Sequence, residues 1–269
     1  QSVTQDQSLI NYLRYLICCV IHSASSSESW FKYDRTFLDK IKNDFLTIQF
    51  TSSFPKNISE KLDQIIANFA LNELPEQWPD FFPIISKFLE SSIESKEYSR
   101  LLNIFRIFYF FLNLTAKSSK LSLKRRLLLH QFFIQSLEPI QHLLFNKQIF
   151  QVSNPLETDF SLAKSFLSFA GECCNIHSED SSFHLFLSNF IFDTFISYSI
   201  SAIQLIFQLS SEISESHSKL SEFEDLLKAS FESLTCYLSK RIIMVNYIPN
   251  LVQIYQMVFP NVFSSSDDC

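Results

Sequence analysis

Two adjacent cysteines and a nearby histidine form the most suggestive chemical pattern in the sequence. His177 follows the pair Cys173 and Cys174, and His184 lies one or two helical turns further on. Thiolates and imidazoles are typical zinc ligands, but a structural zinc site needs four ligands in paired clusters. No second cluster lies nearby in the sequence. We therefore predict buried thiols at a helix C-terminus, and no metal site.

Other catalytic patterns are missing from the sequence. The histidines are scattered, and the many serines stand in no recognisable triad or dyad motif. The chain contains one glycine, Gly171. Phosphate-binding loops, dinucleotide-binding turns and nucleophile elbows each need two or more glycines in a short window. We expect no catalytic residue and no cofactor, so the sequence predicts a binding protein and not an enzyme.

Charge is concentrated in two short segments of opposite sign. The basic segment 117–126 is interpreted as the solvated start of a helix, with a nuclear localisation signal or a phosphate-binding patch as the alternative. The acidic segment 221–232 is either a strip that holds basic ligands or ordinary helix-dipole chemistry. The formal net charge is −6 and the isoelectric point is near 5.5. This balance argues against direct nucleic-acid binding and favours a protein partner.

Two apolar stretches require a test for membrane insertion. Residues 101–115 are too short to span a bilayer, and residues 183–207 are interrupted by Asp193 near their centre. We predict no membrane insertion. The first residues show neither an initiator methionine nor a signal-peptide pattern, so we expect a fragment or a processed chain.

The elements that position these residues are predicted to be helices throughout. Tight hairpins depend on the positive φ angles that glycine adopts without penalty, and glycine is almost absent here. Serine, asparagine and proline separate stretches of helical periodicity instead. The predicted helical segments are 5–24, 34–50, 57–74, 78–92, 96–116, 121–150, 156–174, 181–208, 218–240 and 245–259.

Successive helix pairs begin near Asp34, Trp78, Leu121 and Asp180, a step of about 45 residues that is typical of HEAT and armadillo repeats. We predict an all-α fold, an α-solenoid of antiparallel helix pairs that forms a HEAT- or armadillo-like superhelix. A single irregular bundle is the alternative. The solenoid extends over residues 1–263 as one domain, and a polar tail follows at 264–269. The thirty phenylalanines are expected to fill the seams between the stacked helices.

A short turn with tryptophan and proline carries a family resemblance. Residues 68–89 form an apolar helix, a P-x-x-W-P turn and an amphipathic helix, and Trp78 and Pro79 lie in the turn. Trp78 suits the cap of an apolar stack, and Pro79 suits the first turn of the next helix because its φ is fixed. The arrangement resembles the junction between the third and fourth repeats of importin-β superfamily (karyopherin) transport receptors.

Three later segments strengthen the resemblance. Residues 99–133, 159–174 and 226–259 follow in the order expected of subsequent repeats. The first of these segments is most similar to the importin-11 branch. Importin-7/8 and exportin-type receptors are the alternatives.

The resemblance implies a piece of a longer receptor, about repeats two to seven. It implies binding of protein cargo, Ran-GTP and nucleoporins by a monomer that shuttles between nucleus and cytoplasm through the nuclear pore. Import is the expected direction, with the second helix of each pair lining the concave face. No partner-contact residue follows from the resemblance. The alternative function is a helical scaffold or adaptor, in a vesicle coat or in signalling, without Ran dependence.

Overall fold

All regular elements of the described chain are α-helices, which confirms the all-α prediction. The chain divides into two compact units, Gln1–Leu144 and Phe145–Cys269. The computed structural model describes residues 2–26, 30, 32–137, 139, 161–173 and 176, together with the single positions 225, 228, 232, 235, 249, 252, 253 and 256.

The first unit contains six described helices. The bounds of the first five are close to the predicted ones, whereas the predicted segment 121–150 is described as a helix only over Leu123–Leu137. Helix α7, Ser161–Cys173, belongs to the second unit. The predicted segment 181–208 and the tail 264–269 lie outside the described residues, and 218–240 and 245–259 are described only at single positions. The helices of the first unit are α1 (Ser2–Ser25), α2 (Arg35–Thr51), α3 (Lys56–Glu73), α4 (Phe81–Glu94), α5 (Tyr98–Lys117) and α6 (Leu123–Leu137).

Within the first unit the helices pack in two layers. In one layer, helix α3 lies between α1 and α5. The other layer contains α2, α4 and α6, in which α2 packs on α3, α4 packs on α5, and α6 lies beside α4. The turns that join α2 to α3 and α4 to α5 are short, so each pair packs on itself. This arrangement of stacked helix pairs is that of an α-solenoid. In the part of the chain that the structure describes, no helix is long and apolar enough to cross a membrane.

Phenylalanine rings fill the seam between α4, α5 and α6. The Phe82 ring centroid lies 6.0 Å from that of Phe108, 6.3 Å from that of Phe111 and 5.6 Å from that of Phe133. All four side chains are almost fully buried. Burial of each such ring contributes about 1.5–3 kcal/mol, and favourable ring geometry adds a smaller amount. The expectation that phenylalanines form the core is confirmed for this seam.

Helix α4 ends in a Schellman motif that lacks glycine. The amide of Glu97 donates to the carbonyl of Ser92 at 2.9 Å, and the amide of Lys96 donates to the carbonyl of Ile93 at 3.3 Å. This pair of bonds requires a left-handed residue after the helix, and Lys96 provides it with φ of 56°. A backbone φ of this value is unfavourable for any residue that has a Cβ atom.

Candidate functional site

Trp78 is buried in the turn between α3 and α4. Its side chain is 5% exposed, and its ring centroid lies 4.7 Å from that of Phe81. The Lys42 ammonium of α2 stands 5.4 Å from the Trp78 ring centroid, within range of a cation–π interaction. Trp78 therefore contacts both α2 and α4.

Pro79 lies beside Trp78 but is exposed and precedes the helix. Helix α4 begins at Phe81, with Asp80 as its N-cap residue. The proline in its first turn is Pro83, where a missing N–H leaves no helical hydrogen bond unmade. The prediction that Pro79 lies within the first turn of the helix is therefore wrong. The helix begins two residues after Pro79, and Pro83 is the proline of its first turn.

A fully buried carboxylate, Glu73, lies directly before this turn. Its side chain accepts hydrogen bonds from the Trp30 indole at 3.0 Å, from the Lys42 ammonium at 3.2 Å and from the Arg35 guanidinium. Lys42 and Arg35 also donate to the backbone carbonyl of Gln77. A buried charge needs such pairing. These five residues, called the Glu73 cluster, attach the tryptophan–proline turn to α2.

The segment between α1 and α2 is held by the same Glu73 cluster. Trp30 is 2% exposed, and its ring is stacked on Phe69 of α3 with a centroid separation of 4.7 Å. Its indole N–H finds its acceptor in Glu73, as a buried tryptophan requires. Asp39 contacts Lys42 from the outside, and this hydrogen bond lowers the pKa of the Asp39 carboxyl. The Glu73 cluster thus joins α2, α3 and two connecting segments.

A second buried polar group, the Asp63 cluster, joins α2, α3 and α5. Asp63 is fully buried and accepts hydrogen bonds from the Arg106 Nε atom at 2.6 Å and from the Gln49 amide. The Arg106 guanidinium also donates to the Ser59 hydroxyl at 2.9 Å and to the Asn103 amide oxygen at 2.7 Å. Burial raises the pKa of Asp63 to about 7, although the Arg106 charge and the Gln49 amide oppose this effect. The cluster consists of these five residues.

The basic segment 117–126 takes part in contacts within the fold. Arg125 forms an ion pair with Glu76 in the α3–α4 turn, with N–O distances of 2.8 and 2.9 Å. Arg126 donates to the carbonyl of Ser118. Burial acts to raise the pKa of Glu76, but hydrogen bonding from Arg125 lowers it overall. The lysines of the segment are exposed as expected, whereas its arginines are not simply solvated.

The cysteine pattern is only partly described. Cys173 is the last residue of α7 and is buried, which confirms a buried thiol at a helix C-terminus. Cys174, His177 and His184 lie outside the described residues. Among the residues that are described, no group of three or more histidine, cysteine, aspartate or glutamate side chains is arranged to hold a metal ion.

The acidic segment 221–232 is described at three positions. Asp225, Lys228 and Glu232 are exposed. Asp225 forms an ion pair with Lys164 of α7. An exposed pair of this kind contributes at most about 1 kcal/mol. Whether the segment forms a continuous acidic strip stays a prediction.

Sequence reasoning did not foresee the two buried clusters. Their available signal was weak: Asp63 and Arg106 are charged residues near the middle of their helices, and Glu73 is the last residue of its helix. The charged and indole partners of the two carboxylates lie 31 to 43 residues away along the chain. Both clusters hold buried charge in place through ion pairs and hydrogen bonds. Their arrangement suits the positioning of helices and turns, as a binding protein requires.

The comparison with family models concerns a region that contains Asp63, Glu73 and Arg106. Residues 55–175 match the family model described as exportin 1-like protein. The matched region begins at the start of α3 and ends just after α7, so it includes the tryptophan–proline turn. No curated protein matches the chain. The match does not confirm the importin-11 branch.

Proposed function

We propose that the chain is part of a nuclear transport receptor of the importin-β and exportin superfamily, because residues 55–175 match the exportin 1-like family model. Two observations support this proposal: the family match over that region and the stacked helix pairs of the first unit. The activity is binding without chemistry. The observation that carries the proposal is the family match.

The proposed mechanism couples cargo binding to the curvature of the helical stack. Small rotations between neighbouring helix pairs add up along a solenoid, so two ligands that prefer different curvatures oppose each other. Ran-GTP would then release cargo by favouring the curvature that cargo does not. Nucleoporins are the further partners of such a receptor. The receptor would shuttle between nucleus and cytoplasm, with import as the proposed direction.

We assign cargo binding to the layer that contains α3 and α5. The least buried side of α3 carries polar residues one helical turn apart, including Asn57, Lys61 and Gln64. In a solenoid, one layer of helices forms the concave face on which a partner is held. A charge reversal at Lys61 should therefore weaken partner binding. The same change at Lys87, an exposed lysine of α4 in the other layer, is the matched control.

The experiment that tests the proposal is capture of Ran by the complete natural polypeptide that contains this sequence. We expect retention of GTP-loaded Ran and little retention of GDP-loaded Ran. The Lys61→Glu variant should lose cargo relative to Lys87→Glu, and excess Ran-GTP should release cargo. Ran binding that is indifferent to the nucleotide would contradict a transport receptor and favour a helical scaffold or adaptor. Tighter cargo retention with Ran-GTP would contradict the import direction alone.

A further inference from the structure

The hydrogen bonds of the Asp63 cluster do not balance around Gln49. The Gln49 side-chain nitrogen lies 3.2 Å from the Ser59 carbonyl, 3.1 Å from the Ser59 hydroxyl and within hydrogen-bond distance of Asp63 Oδ1. These are three acceptors, and an amide nitrogen has two hydrogens to donate. The Gln49 amide oxygen is buried and accepts no hydrogen bond in the described part of the chain. The carboxylate form of Asp63 therefore leaves this buried group one hydrogen short.

A proton on Asp63 supplies the missing hydrogen. The two Gln49 hydrogens then serve the two oxygen atoms of Ser59, and the protonated carboxyl donates to the Gln49 amide oxygen once that amide rotates. Asp63 is 0% exposed, and burial acts in the same direction because it disfavours the charged form. Burial raises the pKa of Asp63 to about 7, so this proton is exchanged near neutral pH.

Arg106 of α5 stands between two carboxylates of α3 that lie one helical turn apart. Its Nε atom donates to Asp63 at 2.6 Å, whereas its Nη1 atom lies 3.6 Å from the Glu60 carboxylate, beyond hydrogen-bond distance. The Asp63 side chain is fully buried, and the Glu60 side chain is 39% exposed. The guanidinium is therefore bonded to a buried carboxylate and has an exposed one close by.

Protonation of Asp63 changes the partner that Arg106 needs. A guanidinium that stays buried beside a neutral carboxyl is an uncompensated charge, and such a charge is costly. Glu60 offers a replacement negative charge at the edge of α3, where water reaches it. We propose that these groups form a proton switch: Arg106 pairs with Asp63 while that carboxyl is ionised, and turns to Glu60 when Asp63 takes up a proton.

The groups that face Asp63 come from all three helices of the cluster. Arg106 of α5 and Gln49 of α2 lower the pKa of Asp63, whereas the negative charge of Glu60 on α3 raises it. Helices α3 and α5 pack on each other and belong to neighbouring helix pairs, so the switch acts at the joint between two pairs. It does not depend on transport, and it can fail while the proposed function holds.

NMR of the 269-residue chain, with arginine side chains labelled with nitrogen-15, tests the switch. The Arg106 Nε–H signal should shift with a midpoint near pH 7. Below the midpoint, the Arg106 side-chain hydrogens should exchange with water about tenfold faster or more, because the guanidinium then lies at the exposed edge. Asp63→Asn should show the fast exchange at every pH.

A second pair of variants keeps the test independent of any substitution at the buried position. In Glu60→Gln, Arg106 has no second carboxylate, so the midpoint should fall by about one pH unit or more. Glu90→Gln, at an exposed position of α4, is the matched control and should leave the midpoint unchanged. An Arg106 signal that does not titrate near pH 7, or equal midpoints in Glu60→Gln and Glu90→Gln, would overturn the switch. A midpoint that falls in Glu60→Gln, without any pH dependence of Arg106 exchange in the natural sequence, would also overturn it, because Glu60 would then act only as a neighbouring charge.

Discussion

At the scale of single residues, Asp63 has the most strongly shifted pKa among the described side chains. Its carboxyl is fully buried, and burial raises its pKa to about 7 from 3.8. Arg106 and Gln49 hold the charged form, and both side chains are supplied by other helices. The position therefore links a local titration to the packing of three helices.

The pH dependence of unfolding should show this titration. Between about pH 4 and pH 7 the folded protein holds a proton on Asp63 that the unfolded chain has released. The free energy of unfolding therefore falls as the pH rises through this window. Urea unfolding at several pH values should show the fall in the natural sequence and not in Asp63→Asn. Asp44→Asn, at an exposed position of α2, should keep it. A slope that Asp63→Asn leaves unchanged would contradict this assignment.

Lys96 offers a stabilising substitution at the end of α4. Its φ of 56° is one that glycine adopts without cost, so Lys96→Gly should raise the free energy of unfolding by about 0.5–1 kcal/mol. Urea unfolding should show a higher midpoint with the same slope. Ser95→Gly is the control, because Ser95 has φ of −84° and gains nothing from glycine. A gain of equal size from both variants would show that the left-handed φ is not the cause.

At the scale of elements, the turn between α3 and α4 is held by two acidic residues in different settings. Glu73 is fully buried with Lys42 and Arg35, while Glu76 has a side chain that is 55% exposed beside Arg125. A buried carboxylate whose partner is also buried cannot be removed without leaving an uncompensated charge. When one partner of an exposed pair is removed, water solvates the charge that remains. The two sites therefore separate the contributions of buried and exposed ion pairs.

Truncation of the two glutamates should have unequal effects. We expect Glu73→Ala to cost about 3–5 kcal/mol, because the buried Lys42 ammonium loses its partner. Glu76→Ala should cost at most about 1 kcal/mol. The measurement is the urea midpoint of each variant at pH 7. Similar losses from both substitutions would mean that the Glu73 cluster does not hold the turn.

Sequence reasoning succeeds for elements and fails where distant residues must meet. The bounds of α2 and α3 follow from apolar periodicity and from the breaks at Ser52–Pro55 and Pro75–Pro79. The start of α4 was misplaced because Pro79 and Pro83 both suit a first helical turn, and only the structure decides between them. The Asp63 and Glu73 clusters were missed because their side chains come from separate helices. Periodicity assigns a charged residue to a face, but it does not name a partner tens of residues away.

At the scale of the whole molecule, the described part of the first unit is an array in which each helix contacts its neighbours. Helix α1 packs on α3, and α4 packs on α5 and α6. In such an array, stability is close to a sum of local terms and nearest-neighbour contacts. A single bundle with one shared core would instead lose stability everywhere at once. The same locality is what allows small rotations between helix pairs to accumulate along a stack.

Hydrogen exchange after a core truncation distinguishes these energetic models. Phe82→Ala empties the seam between α4, α5 and α6 and should cost about 3–5 kcal/mol there, which is on the order of a hundredfold or more in exchange rate. Amides of α4, α5 and α6 should therefore exchange faster, while those of α1 change much less. Phe37→Ala, at a residue that is 50% exposed on α2, is the control and should leave every helix protected. Equal acceleration in α1 and α5 would contradict nearest-neighbour coupling and would remove the physical basis for a curvature that two ligands can shift in opposite directions.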